Sequence, residues 1–204
     1  MNAFLEIGCE HLPSRFVKPA MSQMETLAKA LLEEKRIAYE NVSAFGTYRR
    51  LCLIIEGIAE KSADEKKEVK GPPAKLLKDA QGHFTPQSAG FAQRNGMAPE
   101  KLVIKETEKG PFIYADLNIK GEKTIKLLPE IFTRVITGIE FAKNMVWEES
   151  GLKWARPIRS LIGLYGTKVV PFEVAGVKSN RFTYPITSSA ASRSVWKKPI
   201  KPIM

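Results

Sequence analysis

Residues 158–174 read IRSLIGLY-GTK-VVPFEV, two apolar runs around the polar connection Gly166-Thr167-Lys168. Runs of this length and composition, Ile158–Tyr165 and Val169–Val174, separated by a short loop opening on glycine, predict an antiparallel hairpin. Outward from it, strands and helices mix without the regular alternation that builds a parallel sheet. The fold class expected is therefore α+β, with a mixed, largely antiparallel sheet and packed helices.

Toward the N-terminus, Phe4 to Cys9 suits a strand, with Gly8 near its end. Phe16, Val17, Ala20, Met21, Met24, Leu27, Ala28, Leu31 and Leu32 then follow helical spacing. Pro19 is tolerated in such a helix only near its first turn. Val42 to Ile58 reads as strand material broken at Thr47-Tyr48-Arg49-Arg50. Residues 60–70, EKSADEKKEVK, hold four acids and four bases, and with Gly71-Pro72-Pro73 they predict a solvated linker over 60–73. Short helices are expected at Ala74–Ala80 and Ser88–Asn95, and strands at Leu102–Ile104 and Phe112–Leu117. Thr124 to Thr137 is periodic as a helix, with Pro129 placed to mark its start. Beyond Arg181 the sequence becomes rich in Ser, Pro and Lys, so residues 182–204 are expected to be a disordered basic tail.

The net charge of +10 and pI near 9.6 favour polyanionic partners, nucleic acid above all. Residues 181–204 contribute +5 through Arg181, Arg193, Lys197, Lys198 and Lys201, and the remaining 180 residues, with 27 bases and 22 acids, contribute the other +5. The body is only mildly basic. No apolar run approaches the roughly 18 residues needed to cross a bilayer. An acid at Glu6 interrupts what would be a leader's apolar stretch, so no membrane partner and a cytoplasmic location are expected. Cys9 and Cys52 both lie in strand-like stretches and read as buried, reduced thiols.

Phosphate loops, dinucleotide fingerprints, nucleophile elbows and zinc-protease motifs are missing from the sequence. Cys9-Glu10-His11 with Cys52 and His83 falls short of a persuasive tetrahedral metal set, so no metal is expected. Glu6 and Glu10 would share a face only on a helix, whereas the stretch reads as a strand and a turn, which removes them as an acid–base pair. The basic positions carry more information. Tyr48-Arg49-Arg50 sets two guanidinium groups beside an aromatic ring, and Arg156 and Arg159 follow Trp154 in the same manner. Lys70 and Lys75 flank a rigid Gly-Pro-Pro turn. Arginine forks onto phosphate and tyrosine stacks on bases, so Arg49, Arg50, Lys70, Lys75, Arg156 and Arg159 are the candidate nucleic-acid-binding residues. The competing fate for each is an intramolecular ion pair. Met145, Trp147 and Trp154 are candidates for a partner-docking patch, with burial expected for at least one.

A series of short blocks takes the reading further. Phe4-Leu5-Glu6-Ile7-Gly8, Glu10, Leu12-Pro13 and Arg15 to Ala20 are followed by Phe45-Gly46-Thr47, Arg49-Arg50-Leu51 and Lys70-Gly71-Pro72-Pro73. Ala89-Gly90-Phe91-Ala92, Glu106 to Gly110, Leu127-Leu128-Pro129, Lys143 to Trp147, Arg156 to Arg159, Val169 to Phe172 and Gly176 to Arg181 continue it. In this order, across residues 4–181, they resemble the first part of the β subunit of the two-subunit bacterial glycyl-tRNA synthetase. The resemblance implies a non-catalytic part of a glycine–tRNA ligase that holds glycine tRNA and associates with an α subunit in an α2β2 assembly. It also implies that ATP and glycine are bound by the α subunit, with no catalytic residue and no cofactor on this chain. His11, Cys9 and Tyr48 depart from the family's usual residues, and the pattern is lost after Arg181. Two other readings compete: a free-standing RNA-binding protein, and a structural scaffold without RNA contact.

Overall fold

Strand β1 (Ala3–Cys9) is buried along its whole length, which places it inside a sheet with a covered surface on either side. In chain order it is followed by α1 (Ser14–Glu34), β2 (Asn41–Thr47), β3 (Arg50–Glu56), β4 (Glu65–Pro73), α2 (Pro86–Arg94), β5 (Val103–Thr107), β6 (Gly110–Ile119) and α3 (Thr124–Thr137). Then come β7 (Ile158–Tyr165), β8 (Lys168–Val169), β9 (Glu173–Val174), β10 (Val177–Asn180), β11 (Phe182–Thr183) and β12 (Ser194–Val195). This computed structural model describes residues 1–79, 81–107, 110–183 and the backbone of 194–195. The chain divides into a larger unit, Met1–Ala63 with Glu122–Met204, and a smaller unit, Asp64–Gly121.

In the larger unit the strand order is β2-β3-β1-β7-β10-β9, with β8 paired to β7. Every pairing is antiparallel except that of β10 with β7. The class is α+β with a mixed, largely antiparallel sheet. Odd-numbered residues of β1, Ala3, Leu5 and Ile7, share a core with Leu51, Leu53 and Ile55 of β3. Against them lie Phe16, Ala20, Met24, Ala28, Leu31 and Leu32 of α1 and Leu128, Ile131, Phe132, Val135 and Ile136 of α3. These positions recur at helical spacing, so each helix buries one stripe. At the C-terminal end of α1, Arg36 adopts φ 55° and Ile37 N–H bonds Leu32 O at 2.8 Å. The arrangement is that of a left-handed helix cap with arginine where glycine is common. Gly8 lets β1 and β7 approach, because a Cβ there would run into Ser160 Oγ.

Two expectations about the larger unit need correction. Helix α3 starts at Thr124 and runs through Pro129, which therefore marks no boundary. Proline deletes one backbone hydrogen bond, and burial of five apolar residues on the same helix outweighs that loss. The hairpin at β7 is short: β8 ends at Val169, one further bond runs from Val170 N–H to Gly163 O at 2.9 Å, and from Ile162 back toward its start the edge of β7 is taken by β10. Beyond it β9 and β10 form a second hairpin through Ala175 (φ 53°) and Gly176 (φ 72°), both in the left-handed region that a tight two-residue turn requires. Trp154 is wholly buried and donates Nε1–H to Ile136 O at 3.1 Å, so of the three docking candidates it is the one whose burial was expected. Met145 and Val146 are exposed.

The smaller unit is a three-stranded antiparallel sheet in the order β4-β6-β5. The stretch 65–73, expected to be a linker, is strand β4. Its charges alternate about a single apolar residue, Val69, which packs with Phe91, Ile113 and Ala115. Helix α2 is capped by Thr85, whose Oγ1 accepts from Ser88 N–H at 3.2 Å. Of the expected disordered tail, Phe182–Thr183 is strand β11 and pairs with β12; residues 184–193 and 196–204 lie outside the described residues.

Candidate nucleic-acid interface

Three loops meet at one end of the larger unit's sheet: residues 9–13 after β1, the turn 47–50 between β2 and β3, and residues 155–159 leading into β7. Backbone bonds lace them together, with Cys9 N–H to Arg49 O at 2.9 Å, Leu12 N–H to Tyr48 O at 2.6 Å and Glu10 N–H to Pro157 O at 3.0 Å. The convergence follows from topology. β3 and β7 flank β1, both antiparallel to it, so the start of each lies beside the end of β1.

This end gathers Arg49, Arg50, Arg156 and Arg159. Tyr48 stacks on His11 with ring centroids 4.4 Å apart and planes at 26°, and the Arg49 guanidinium lies 5.9 Å from the Tyr48 ring centre. Arg156 donates Nε–H to His11 O at 3.2 Å and Nη1–H to Ala155 O at 3.0 Å, which ties two of the loops together. Arg159 Nε sits 2.9 Å from Glu10 Oε1 in an exposed pair. Water competes strongly for a pair of that kind, so the guanidinium can exchange Glu10 for another anion at little cost.

Arg50 behaves differently. Its Nε lies 3.9 Å from Oε1 of Glu6, a carboxylate with only 5% of its side chain exposed. Thr183 Oγ1 donates to the same oxygen at 2.7 Å, and Cys52 Sγ–H points to Oε2 at 3.9 Å. Glu6 faces away from the helices, on the side of the sheet that carries Phe4, Ile162 and Leu164. Arg50 thus partners a buried acid. Burial, and then the Glu6 charge, push the Cys52 thiol up to about 12, and burial does the same to Cys9.

Lys70 and Lys75 are elsewhere, on β4 and on the short turn Ala74–Leu76 of the smaller unit. Reasoning from sequence missed His11 as the stacking partner of Tyr48. No local signal could reveal it, because the two residues are brought together only by strand pairing. Among the described residues, no group of three or more His, Cys, Asp or Glu side chains is placed to hold a metal ion, and no helix is long and apolar enough to cross a membrane.

Geometry alone defines an α+β protein whose larger unit presents an arginine- and aromatic-bearing loop end. Comparison with known proteins defines the family. Residues 3–197 match the family model described as glycyl-tRNA synthetase beta subunit, and the chain belongs to that family. It is 42% identical over 173 residues to the glycine–tRNA ligase beta subunit of Halalkalibacterium halodurans, covering 85% of this chain and 25% of that protein. Against the beta subunit of Desulforamulus reducens it is 43% identical over 180 residues, covering 88% and 26%. Against that of Clostridioides difficile it is 35% identical over 178 residues, covering 87% and 26%. The chain spans about a quarter of the length of the curated relatives it matches.

Proposed function

We propose that this chain is a non-catalytic, tRNA-holding part of a cytoplasmic glycine–tRNA ligase, acting with an α subunit in an α2β2 assembly. The observation that carries the reading is the convergence of Arg49, Arg156 and Arg159 with the Tyr48–His11 stack on one loop end. Guanidinium groups fork onto phosphate oxygens, and an exposed ring beside them receives a base or a ribose. Arg50 serves the same surface indirectly: paired with Glu6, it fixes the strand that begins beside Arg49. Lys70 and Lys75 are further cations for the RNA on the smaller unit. ATP and glycine are handled by the α subunit, and this chain supplies no cofactor site.

The test is reconstitution of the ligase from an α subunit and a β subunit in which Arg49, Arg156 and Arg159 are changed to Ala. The expected result is a raised KM for glycine tRNA, with glycine-dependent ATP–pyrophosphate exchange unchanged. An unchanged KM for tRNA would remove these residues from the interface. Met145, exposed and paired through its backbone with the buried Trp154, is a candidate for contact with the α subunit.

A further inference from the structure

The smaller unit has a second surface with its own chemistry. Its sheet buries one face under α2, where Phe91, Ile113 and Ala115 cluster with Val69, Leu77, Met97 and Leu102. The strand periodicity puts Phe112 and Tyr114 of the central strand β6 on the opposite face, about 7 Å apart along the strand. Neither ring is fully buried, and Val103, directly across from Tyr114, is 41% exposed.

Two lysines cross over these rings. Lys70 pairs in register with Tyr114, yet its Nζ lies 3.7 Å from the centre of the Phe112 ring. Lys105 pairs in register with Phe112, yet its Nζ lies 5.6 Å from the centre of the Tyr114 ring. Each ammonium therefore lies over a half-buried aromatic ring, whose field favours a cation there. The two lysines are not equivalent. Lys105 is anchored by Glu68 at 2.7 Å and Asp116 at 3.1 Å, which raise its pKa from the ordinary value, the Glu68 hydrogen bond foremost. Lys70 is the cation at the other end of the face, beside the Phe112 ring.

We propose that this face binds unpaired RNA nucleotides, with bases stacking on Phe112 and Tyr114 and Lys70 moving from the ring to a backbone phosphate. An antiparallel sheet face carrying aromatics at alternate positions of its central strand offers each base a plane, and an adjacent ammonium neutralises the linkage between bases. Glu68 and Asp116 repel phosphate beyond Tyr114, so the RNA backbone keeps to the Lys70 end while its bases lie over Phe112 and Tyr114. Duplex RNA, whose bases are already stacked, has no use for the rings. The site shares Lys70 with the reading above, but it lies in a different unit from the arginine loop end and depends on stacking, so it can fail while that loop end still binds RNA.

The probe is a short oligouridine added to the full chain. Upfield shifts of the Phe112 and Tyr114 ring resonances in the unaltered protein are expected, together with a loss of affinity of about tenfold for Phe112→Leu or Tyr114→Leu. Tyr114→Phe, which keeps the ring, retains binding, and the response persists when Arg49, Arg156 and Arg159 are Ala. Ring resonances that do not move would overturn the proposal, as would equal affinity in the leucine variants. Competition by duplex RNA as effective as that by oligouridine would overturn it too, because charge alone would then explain the binding.

Discussion

In the larger unit β1 is buried throughout, and whole side chains such as Leu5, Ile7, Phe132 and Trp154 are shut away from water. In the smaller unit the buried apolar residues, among those described, are Phe91, Ala92, Ile113 and Ala115, with one sheet face left to solvent. The cations differ in parallel. Arginines in the larger unit are built into loop junctions and a buried ion pair, whereas lysines in the smaller unit rest on aromatic rings. Core size and the setting of the cations thus differ between the units. The larger unit can carry a pre-organised charged surface because its core fixes the loops. The smaller unit has a thinner core beneath its sheet.

Truncating the core of each unit tests that contrast most strongly. Trp154→Ala removes a fully buried indole and its bond to Ile136, and should lower stability by about 3–5 kcal/mol. Hydrogen exchange should then rise throughout the larger unit. Phe91→Ala should cost about 2–4 kcal/mol, with faster exchange restricted to Asp64–Gly121. Loss of protection in both units from the Phe91 change would break the distinction.

A smaller effect is expected at the Glu6 pair. Arg50→Ala leaves a buried carboxylate short of its cation and should cost about 1–3 kcal/mol by urea denaturation. Adding Glu6→Gln should recover part of it, since a buried amide is cheaper than an unpaired charge. If Arg50→Ala leaves the urea midpoint unchanged, the pair is a surface contact with no structural role.

The least effect belongs to the thiols. Burial pushes Cys9 and Cys52 up to about 12 from an ordinary 9.0. Folding therefore favours the neutral thiol, a contribution fully present below pH 9 and lost as pH rises from there toward about 12. At about pH 8, alkylation should be negligible in the folded chain and rapid in denaturant. Ready labelling of the folded chain would contradict the burial.

The same contrast explains what could be read in the sequence. Strands β1 and β3 and helix α1 were legible because their apolar residues recur at the period of the element and face a deep core. Strand β4 was not, because only Val69 marks its inward face and its alternating charges resemble a solvated linker. Pro129 misled because a helix start is proline's usual place, while its neighbours' burial holds it inside α3. At the candidate interface, individual arginines stood out beside aromatic residues. Their meeting at one end, the Tyr48–His11 stack and the commitment of Arg50 to Glu6 depend on strand order, which no local pattern encodes.

The central claim is that the arginine loop end grips RNA phosphates, and the salt dependence of glycine-tRNA binding reads this directly. Each phosphate contact adds about 0.9 to the slope of log affinity against log salt. Changing Arg49, Arg156 and Arg159 together to Ala should weaken binding at low salt and make the slope shallower by about 2–3. Parallel salt plots for the variant and the parent, with equal affinity, would contradict the account.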